Sequence, residues 1–425
     1  MAMLWREIRG FWLRFWLVLG VVYVFPFPIG TIPKTEWLPE WLLWPLTKLI
    51  EWCSAVLLGI TARAGFTNSG DRIEDYGDLL TLALLSLVVA IVWSVLDRKR
   101  TRYPRLEAVL LLGLRYMLAM TIIWYGLAKV FKSQMPDLRP SDLDTPLGEL
   151  SPMGLAWAFI GFSTPYSIFA GMSEVLGGAL LLWRRTQTLG ALVVVAVMTN
   201  VVAMNLCFDI PVKLGSAQLL IIALILLAPV ARRLLAAALG YAVPELPARR
   251  RLAPRWERAR WVLALAILAA IPYSYVLPLT QHQRNAHQHE LYGSWLVDEV
   301  SIDGAIRPPL TTDAERWSRV QMNGQGMWTV SMRGDRRPAD LIVDATKHTL
   351  TRTPYENFDM TTHDHEVTET WTYQHADADQ LILDGASTGH HWHVTLHRAP
   401  PSLLMTRGFH WINPNPFRAR DRSVQ

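Results

Sequence analysis

LEAVLLLGLRYMLAMTIIWYGLAKVF (Leu106–Phe131) and PYSIFAGMSEVLGGALLLW (Pro165–Trp183) decide how this chain is read. Each is long enough to cross a hydrocarbon core of about 30 Å, which takes ~20 residues as a helix. Their few polar residues recur at helical spacing. Arg115, Ala119, Ile122, Gly126 and Lys129 follow steps of four and three along one face of the first run. Gly171, Glu174 and Gly178 share a face of the second, where the glycines let a neighbouring backbone come close. The two faces are expected to meet.

Working outward, further runs of this kind lie near 11–29, 78–96, 188–206, 213–239 and 261–279, which makes about seven spans. Alternate connections are rich in Lys and Arg, as the positive-inside rule requires. Arg6, Arg9 and Arg14 go with the first span, Arg98, Lys99, Arg100, Arg102 and Arg105 follow the second, and Arg184 and Arg185 follow the fourth. A longer basic linker, containing Arg232, Arg233, Arg249, Arg250 and Arg251, follows the sixth. The intervening connections hold acidic residues such as Asp137, Asp142, Asp144 and Glu149. This pattern predicts a cytoplasmic N-terminus and an outer C-terminal domain in a bacterial inner membrane. The net charge of +5 arises from these clusters at span ends, which argues against a nucleic-acid partner. FWLRFWLVLGVVYVFPFPI, from Phe11, has no small-residue cleavage site after it and reads as a retained anchor helix. Trp37, Trp41, Trp44 and Trp52, mixed with Glu40, Lys48 and Glu51, suggest a helix lying on the outer surface or packed against the bundle.

All 12 histidines lie at or beyond His282, where the period changes from helical to alternating. SWLVDEVSI, RWSRVQM, MWTVSMR, ADLIVD, VTETWTY, LILDG and HWHVTLH are separated by turn pairs including Asp303-Gly304, Asn323-Gly324 and Gly334-Asp335. They predict an antiparallel β domain of roughly eight strands, the number at which a small barrel closes. The expected fold is therefore a membrane all-α helical bundle plus a C-terminal antiparallel β-barrel-like domain. Its divisions are 1–105 (leading spans), 106–239 (four-helix core), 240–287 (basic linker and seventh span) and 288–425 (β domain).

Arg115 and Glu174, each about 12–13 Å from the inner end of its helix at ~1.5 Å per residue, come out at one depth. A lone mid-membrane charge costs ~3 kcal/mol. The pair is therefore expected to form an ion pair, either structural or part of a proton or ligand site, with Asn200 completing a buried polar cluster. Lys129, Asn205, Asp209, Lys213 and Gln218 fall toward the outer rim, as separately snorkelling groups or as a polar mouth. In HHWHVTLH, His391, His393 and His397 share one strand face, a spacing open to a metal, although the apolar Trp392, Val394 and Leu396 turn that face outward, toward solvent. His363 and His365 form a second such pair. Cys53 and Cys207 are far apart and imply neither a disulfide framework nor a thiol metal site.

WYGLAKVF, FAGMSEVLGGALLLWRR and the basic turn into LGALVVVAVMTN together resemble the DoxX-like group of bacterial membrane proteins. The resemblance covers about 106–239 and places its Gly-x-x-Lys on Gly126 and Lys129, and its Glu and glycine pair on Glu174, Gly177 and Gly178. It implies a four-helix bundle and, from some members, a part in a quinone-linked or other membrane redox system. Without span histidines for haem or a cysteine cluster, that role rests on a bound quinone or a redox partner subunit. Gly293-Ser294-Trp295 is similar to the Gly-x-Trp of lipocalin-like barrels, which implies either a cavity for a lipophilic ligand or a solid core. The alternative function is a non-enzymatic lipid-handling or envelope scaffold protein.

Overall fold

The computed structural model describes residues 2–25, 37–60, 70–100, 102–243, 262, 289–324, 326–358, 363–365, 367–409 and 411–412. The apolar runs fold as helices: α1 (Ala2–Val24), α2 (Trp37–Leu58), α3 (Ile73–Leu96), α4 (Pro104–Val130), α5 (Pro140–Leu143), α6 (Pro152–Phe162), α7 (Thr164–Leu182), α8 (Gln187–Cys207), α9 (Lys213–Leu227) and α10 (Ala231–Ala238). Their starts follow from local chemistry. Proline occupies the first turn of α4, α5, α6 and α7, where its missing N–H leaves no helical bond unmade. Ser151 caps α6 by accepting from the Gly154 amide, and Ser163 caps α7 by accepting from that of Tyr166.

Two compact units result. One comprises Met1–Asp137 and Pro146–Gln283, the other Leu138–Thr145 and Arg284–Gln425. The split corrects the expected boundaries in one respect: eight residues in the middle of the predicted four-helix region belong with the β domain.

In the helical unit, six helical stretches among the described residues are long and apolar enough to cross a membrane: Trp41–Leu58, Ile73–Leu96, Pro104–Val130, Thr164–Leu182, Gln187–Cys207 and Lys213–Ala238. The chain thus has the make-up of a multi-pass membrane protein in contact with lipid. The expected span at 261–279 lies outside the described residues, save Val262. The first expected span is helical, but its apolar part, Gly10–Val24, is shorter than a full crossing, while α2, expected on the outer surface or packed against the bundle, is long and apolar enough to cross. α6 was not anticipated, though Ser151-Pro152 is a helix-start signature.

Glycine sets the packing of α4 on α7. A Cβ on Gly126 would sit 2.6 Å from the Gly171 carbonyl oxygen, and one on Gly178 would sit 2.7 Å from that of Ala119. The backbones therefore touch, as in small-residue membrane interfaces. Around this seam Leu118, Ala119, Ile122, Leu181, Val194 and Ala223 form the buried core. Arg14, buried, ties α1 to the α3–α4 connection, donating to Ser94 Oγ and to the Asp97 and Arg100 carbonyls.

The second unit is a closed barrel. Strands β1 (Gly293–Ile302), β2 (Ala305–Ile306), β3 (Trp317–Met322), β4 (Gly326–Ser331), β5 (Arg336–Asp344), β6 (Thr349–Phe358), β7 (His363–His365), β8 (Glu369–His375), β9 (Gln380–Ser387) and β10 (His390–Arg398) pair antiparallel. The order β1-β3-β4-β5-β6-β8-β9-β10 closes through β10–β1, with β2 and β7 as side pairings. Asp303 and Gly304 both have positive φ, +50° and +80°, the backbone that an Asp-Gly hairpin turn needs. β6 went unanticipated because its inward positions include Arg352 and Pro354 in place of an apolar alternation. Eight strands leave an interior just wide enough for side chains. Here Trp295, Trp317, Trp371, Tyr373 and Trp392 fill it, with Trp317 and Trp392 stacked at 5.4 Å. A short helix, α11 (Leu403–Thr406), follows β10.

Candidate functional site

Beside the α4–α7 seam the helical unit has a partly open cavity of about 540 Å³. Tyr23 of α1, Met117, Thr121, Tyr125 and Lys129 of α4, Trp157 of α6, Glu174 of α7, Met198 and Asn205 of α8, and Ser216 and Gln218 of α9 contribute to its wall. Four methionines and three aromatic rings share the lining with polar side chains, among them Asp71, Asp75 and the pair Lys129 and Glu174.

Lys129 Nζ lies 3.0 Å from each carboxylate oxygen of Glu174, and the side chains are only 7% and 3% exposed. The Tyr125 ring lies 5.9 Å from the ammonium. Ser167 Oγ donates to the Lys129 carbonyl at 2.8 Å and so joins α7 to α4 one turn beyond Gly171. Removing one member of such a buried pair typically costs ~3–5 kcal/mol, since it strands the other charge.

The expected partner of Glu174 is thus corrected. Arg115 is buried, but its Nη1 donates to Gln187 Oε1 at 2.6 Å, and its guanidinium lies 4.7 Å from the Tyr116 ring. The reason is register. The contacts Gly126–Gly171 and Ala119–Gly178, with Tyr116 Oη donating to the Leu182 carbonyl, bring Glu174 opposite the 122–126 turn and Arg115 opposite the end of α7. Arg115 therefore misses Glu174 by about eight residues along the antiparallel pair, or ~12 Å. Asn200 is also corrected: it is exposed. The buried stripe of α8 runs through Ala191, Val194, Met198 and Asn205, and Asn200, two residues from Met198, is turned about 200° away from it.

The residues assigned to the rim divide. Lys129 is the partner of Glu174. Asn205 is buried in the cavity wall and donates to Ser216 Oγ at 2.9 Å. Gln218 Oε1 accepts from Tyr23 Oη at 2.9 Å. Asp209 and Lys213 pair at 2.7 Å in the α8–α9 turn. Beside them Asp71, at φ +66°, caps α9 by accepting from the amides of Lys213 and Leu214 at 2.6 and 2.8 Å. Tyr23, Gln134, Trp157 and Asp71 are site residues that the sequence reading missed. Gln134 Oε1 is buried at the cavity wall, with no hydrogen-bond partner among the described residues.

In the barrel unit the inserted segment Leu138–Thr145 supplies a second polar centre. Asp144 accepts from Ser294 Oγ at 2.7 Å and Gln321 Nε2 at 2.9 Å and pairs with Arg319. Burial disfavours its charge, but the bonds from Arg319, Ser294 and Gln321 and the Arg319 charge together outweigh it, holding Asp144 below the usual carboxylate range. Arg336 donates to Thr145 Oγ1 at 2.6 Å and to the Ser141 carbonyl at 2.9 Å. At the Gly-x-Trp, Trp295 Nε1 donates to the Leu291 carbonyl and the Arg398 guanidinium lies 4.5 Å from its ring. Gly293 is required by its φ of +144°, and its missing side chain leaves room for the end of Arg398, whose Nη1 would lie 2.9 Å from a Cβ there.

The histidine face of β10 does turn outward, but its members are engaged separately. His393 Nδ1 lies 2.6 Å from Asp384, and His397 Nδ1 lies 2.7 Å from Asp298. His391 is exposed, and its backbone amide donates to Asp303. No group of three or more potential ligands able to hold a metal occurs among the described residues. The side chains of His363 and His365 lie outside them. Cys53 is buried and Cys207 exposed, both free.

No family model matches the sequence, and no solved structure matches it. The uncharacterized protein YwoB of Bacillus subtilis (strain 168) is 39% identical over 113 residues, which cover 27% of this chain and 71% of YwoB. Identity at that level across more than two thirds of the relative's length shows that the chain belongs to the same family as YwoB.

Proposed function

We propose that the helical unit holds a membrane amphiphile of the quinone class in its cavity, as a component of a quinone-linked redox system of the bacterial inner membrane. The observation that carries this reading is the buried Lys129–Glu174 pair in the wall of a cavity lined by Tyr, Trp and Met side chains. A quinone ring suits such a lining, and its two oxygens ask for what the wall offers. Lys129 can donate to a carbonyl oxygen, while the buried Gln134 Oε1 and the Glu174 carboxylate can accept from a quinol hydroxyl. The resemblance of 106–239 to the DoxX-like group supports the same class, with a redox partner subunit supplying or taking the electrons. The basic connections support a cytoplasmic N-terminus and an outer barrel.

The test is extraction of lipid from protein purified without delipidation, followed by mass spectrometry and a quinone titration of wild type, Glu174→Gln and Lys129→Met. Stoichiometric quinone that is weakened in both variants supports the proposal. A phospholipid in its place, or no bound amphiphile, overturns it. The second reading, lipid handling or scaffolding, draws on the mutual satisfaction of Lys129 and Glu174, which need no ligand to be paired. It predicts bound phospholipid and indifference to quinone.

A further inference from the structure

We propose that the segment following the last barrel strand, Leu403–Ile412, docks on the surface of an anionic lipid bilayer. Leu403, Leu404 and Met405 of α11 are exposed, and Phe409, Trp411 and Ile412 are 78%, 91% and 87% exposed. Single exposed apolar side chains are ordinary. Six within ten residues of one stretch are not scattered, and they leave apolar surface with no cover from the barrel. The chemistry of the segment selects the cover. Trp and Phe beside Arg is the composition of the headgroup layer, where an aromatic ring sits at the apolar boundary and the guanidinium meets phosphate. Across 399–425 the sequence carries Arg407, Arg418, Arg420 and Arg422 against the single acid Asp421, a balance that attracts an anionic surface and would disfavour a basic protein partner. A bilayer is also always at hand, because the same chain crosses one. Docking is then an intramolecular event, and a weak intrinsic affinity suffices.

Hydroxyl-radical footprinting of the full-length wild-type chain tests this without substitutions. The protein is compared in nanodiscs of phosphatidylcholine with phosphatidylglycerol, in nanodiscs of phosphatidylcholine alone, and in an amphipathic polymer that provides no bilayer. Oxidation of Phe409 and Trp411 should be high in the polymer, lower in phosphatidylcholine and lowest with phosphatidylglycerol, while exposed Ile342 on β5 stays equally reactive in all three. Equal oxidation of Phe409 and Trp411 in every medium overturns the proposal. So does protection in the polymer that grows with protein concentration, which would assign the surface to a second copy of the chain. Arg407→Glu should raise oxidation of Trp411 in the phosphatidylglycerol discs; no change there would remove the anionic part of the proposal.

Discussion

At the scale of single residues, Glu174 and Lys129 carry the largest energetic stake. With one member neutralised the other is left buried and uncompensated, so Glu174→Gln and Lys129→Met should each lose ~3–5 kcal/mol of stability in a reversible unfolding titration in lipid–detergent mixtures. The double variant should lose less than the sum, because the second change removes a charge the first has already stranded. Simple additivity would show that the two do not act as a pair. Gly293 gives the matching prediction in the barrel. Gly293→Ala puts a side chain on a backbone held at φ +144°, so it should destabilise the barrel by more than ~1 kcal/mol, visible as a lower melting transition in near-ultraviolet dichroism. The partner of Glu174 was only half legible in the sequence. The shared face of Gly126 and Lys129 and the shared face of Gly171 and Glu174 could be read from spacing, but depth measured from the inner end of each apolar run cannot fix the offset between two helices. The glycine contacts fix it, and they favour Lys129 over Arg115. Depth alone likewise does not give the side of α8 on which Asn200 lies.

At the scale of elements, the α4–α7 seam depends on two helices that lack side chains where they touch. Gly126→Val would drive atoms into the Gly171 carbonyl and into Val175, and should cost at least ~1–3 kcal/mol while helix content measured by dichroism stays unchanged. Gly215 is the control: it lies inside α9 with nothing within 4 Å, so Gly215→Ala should be neutral or stabilise by up to ~1 kcal/mol. The inserted segment 138–145 has its own pH signature. Asp144 has a lower pKa in the folded barrel than in an unfolded chain, so its contribution is complete above the ordinary carboxylate value of 3.8 and disappears as pH falls through its lower folded value. Hydrogen exchange at Ser141–Thr145 should therefore stay slow down to about the ordinary value and quicken only in stronger acid, whereas Asp144→Asn should exchange faster even at neutral pH. Helices and most strands were legible because their periods of 3.6 and 2 show in the order of apolar residues. β6 was not, because its inward Arg352 is compensated by Glu369 at 3.0 Å and by the Trp317 ring, neither of them a neighbour in sequence.

At the scale of the whole molecule, the sequence divides cleanly into a helical part and an alternating part, yet the physical division cuts across that order. Nothing in LRPSDLDT, read locally, announces that it belongs to a barrel whose first strand lies far downstream. Its acidic residues explain only why it avoids the basic side of a membrane. The tie is long-range: Asp144 and Ser294 are 150 residues apart. Ribosomal synthesis gives this separation a direction in time. The eight residues emerge after α4 and before α6, while every strand that receives them is still to be translated, so the carboxylate of Asp144 must wait for Ser294, Arg319 and Gln321. The barrel is then the last part to mature, and it matures around a piece of chain already fixed at both ends. A barrel so built is held twice, once by the peptide chain through 244–288 and once by the polar bonds of 138–145. Severing the first with an engineered protease site in that stretch should leave the barrel retained with the helices on a native gel. Adding Asp144→Ala and Arg336→Ala should weaken that retention.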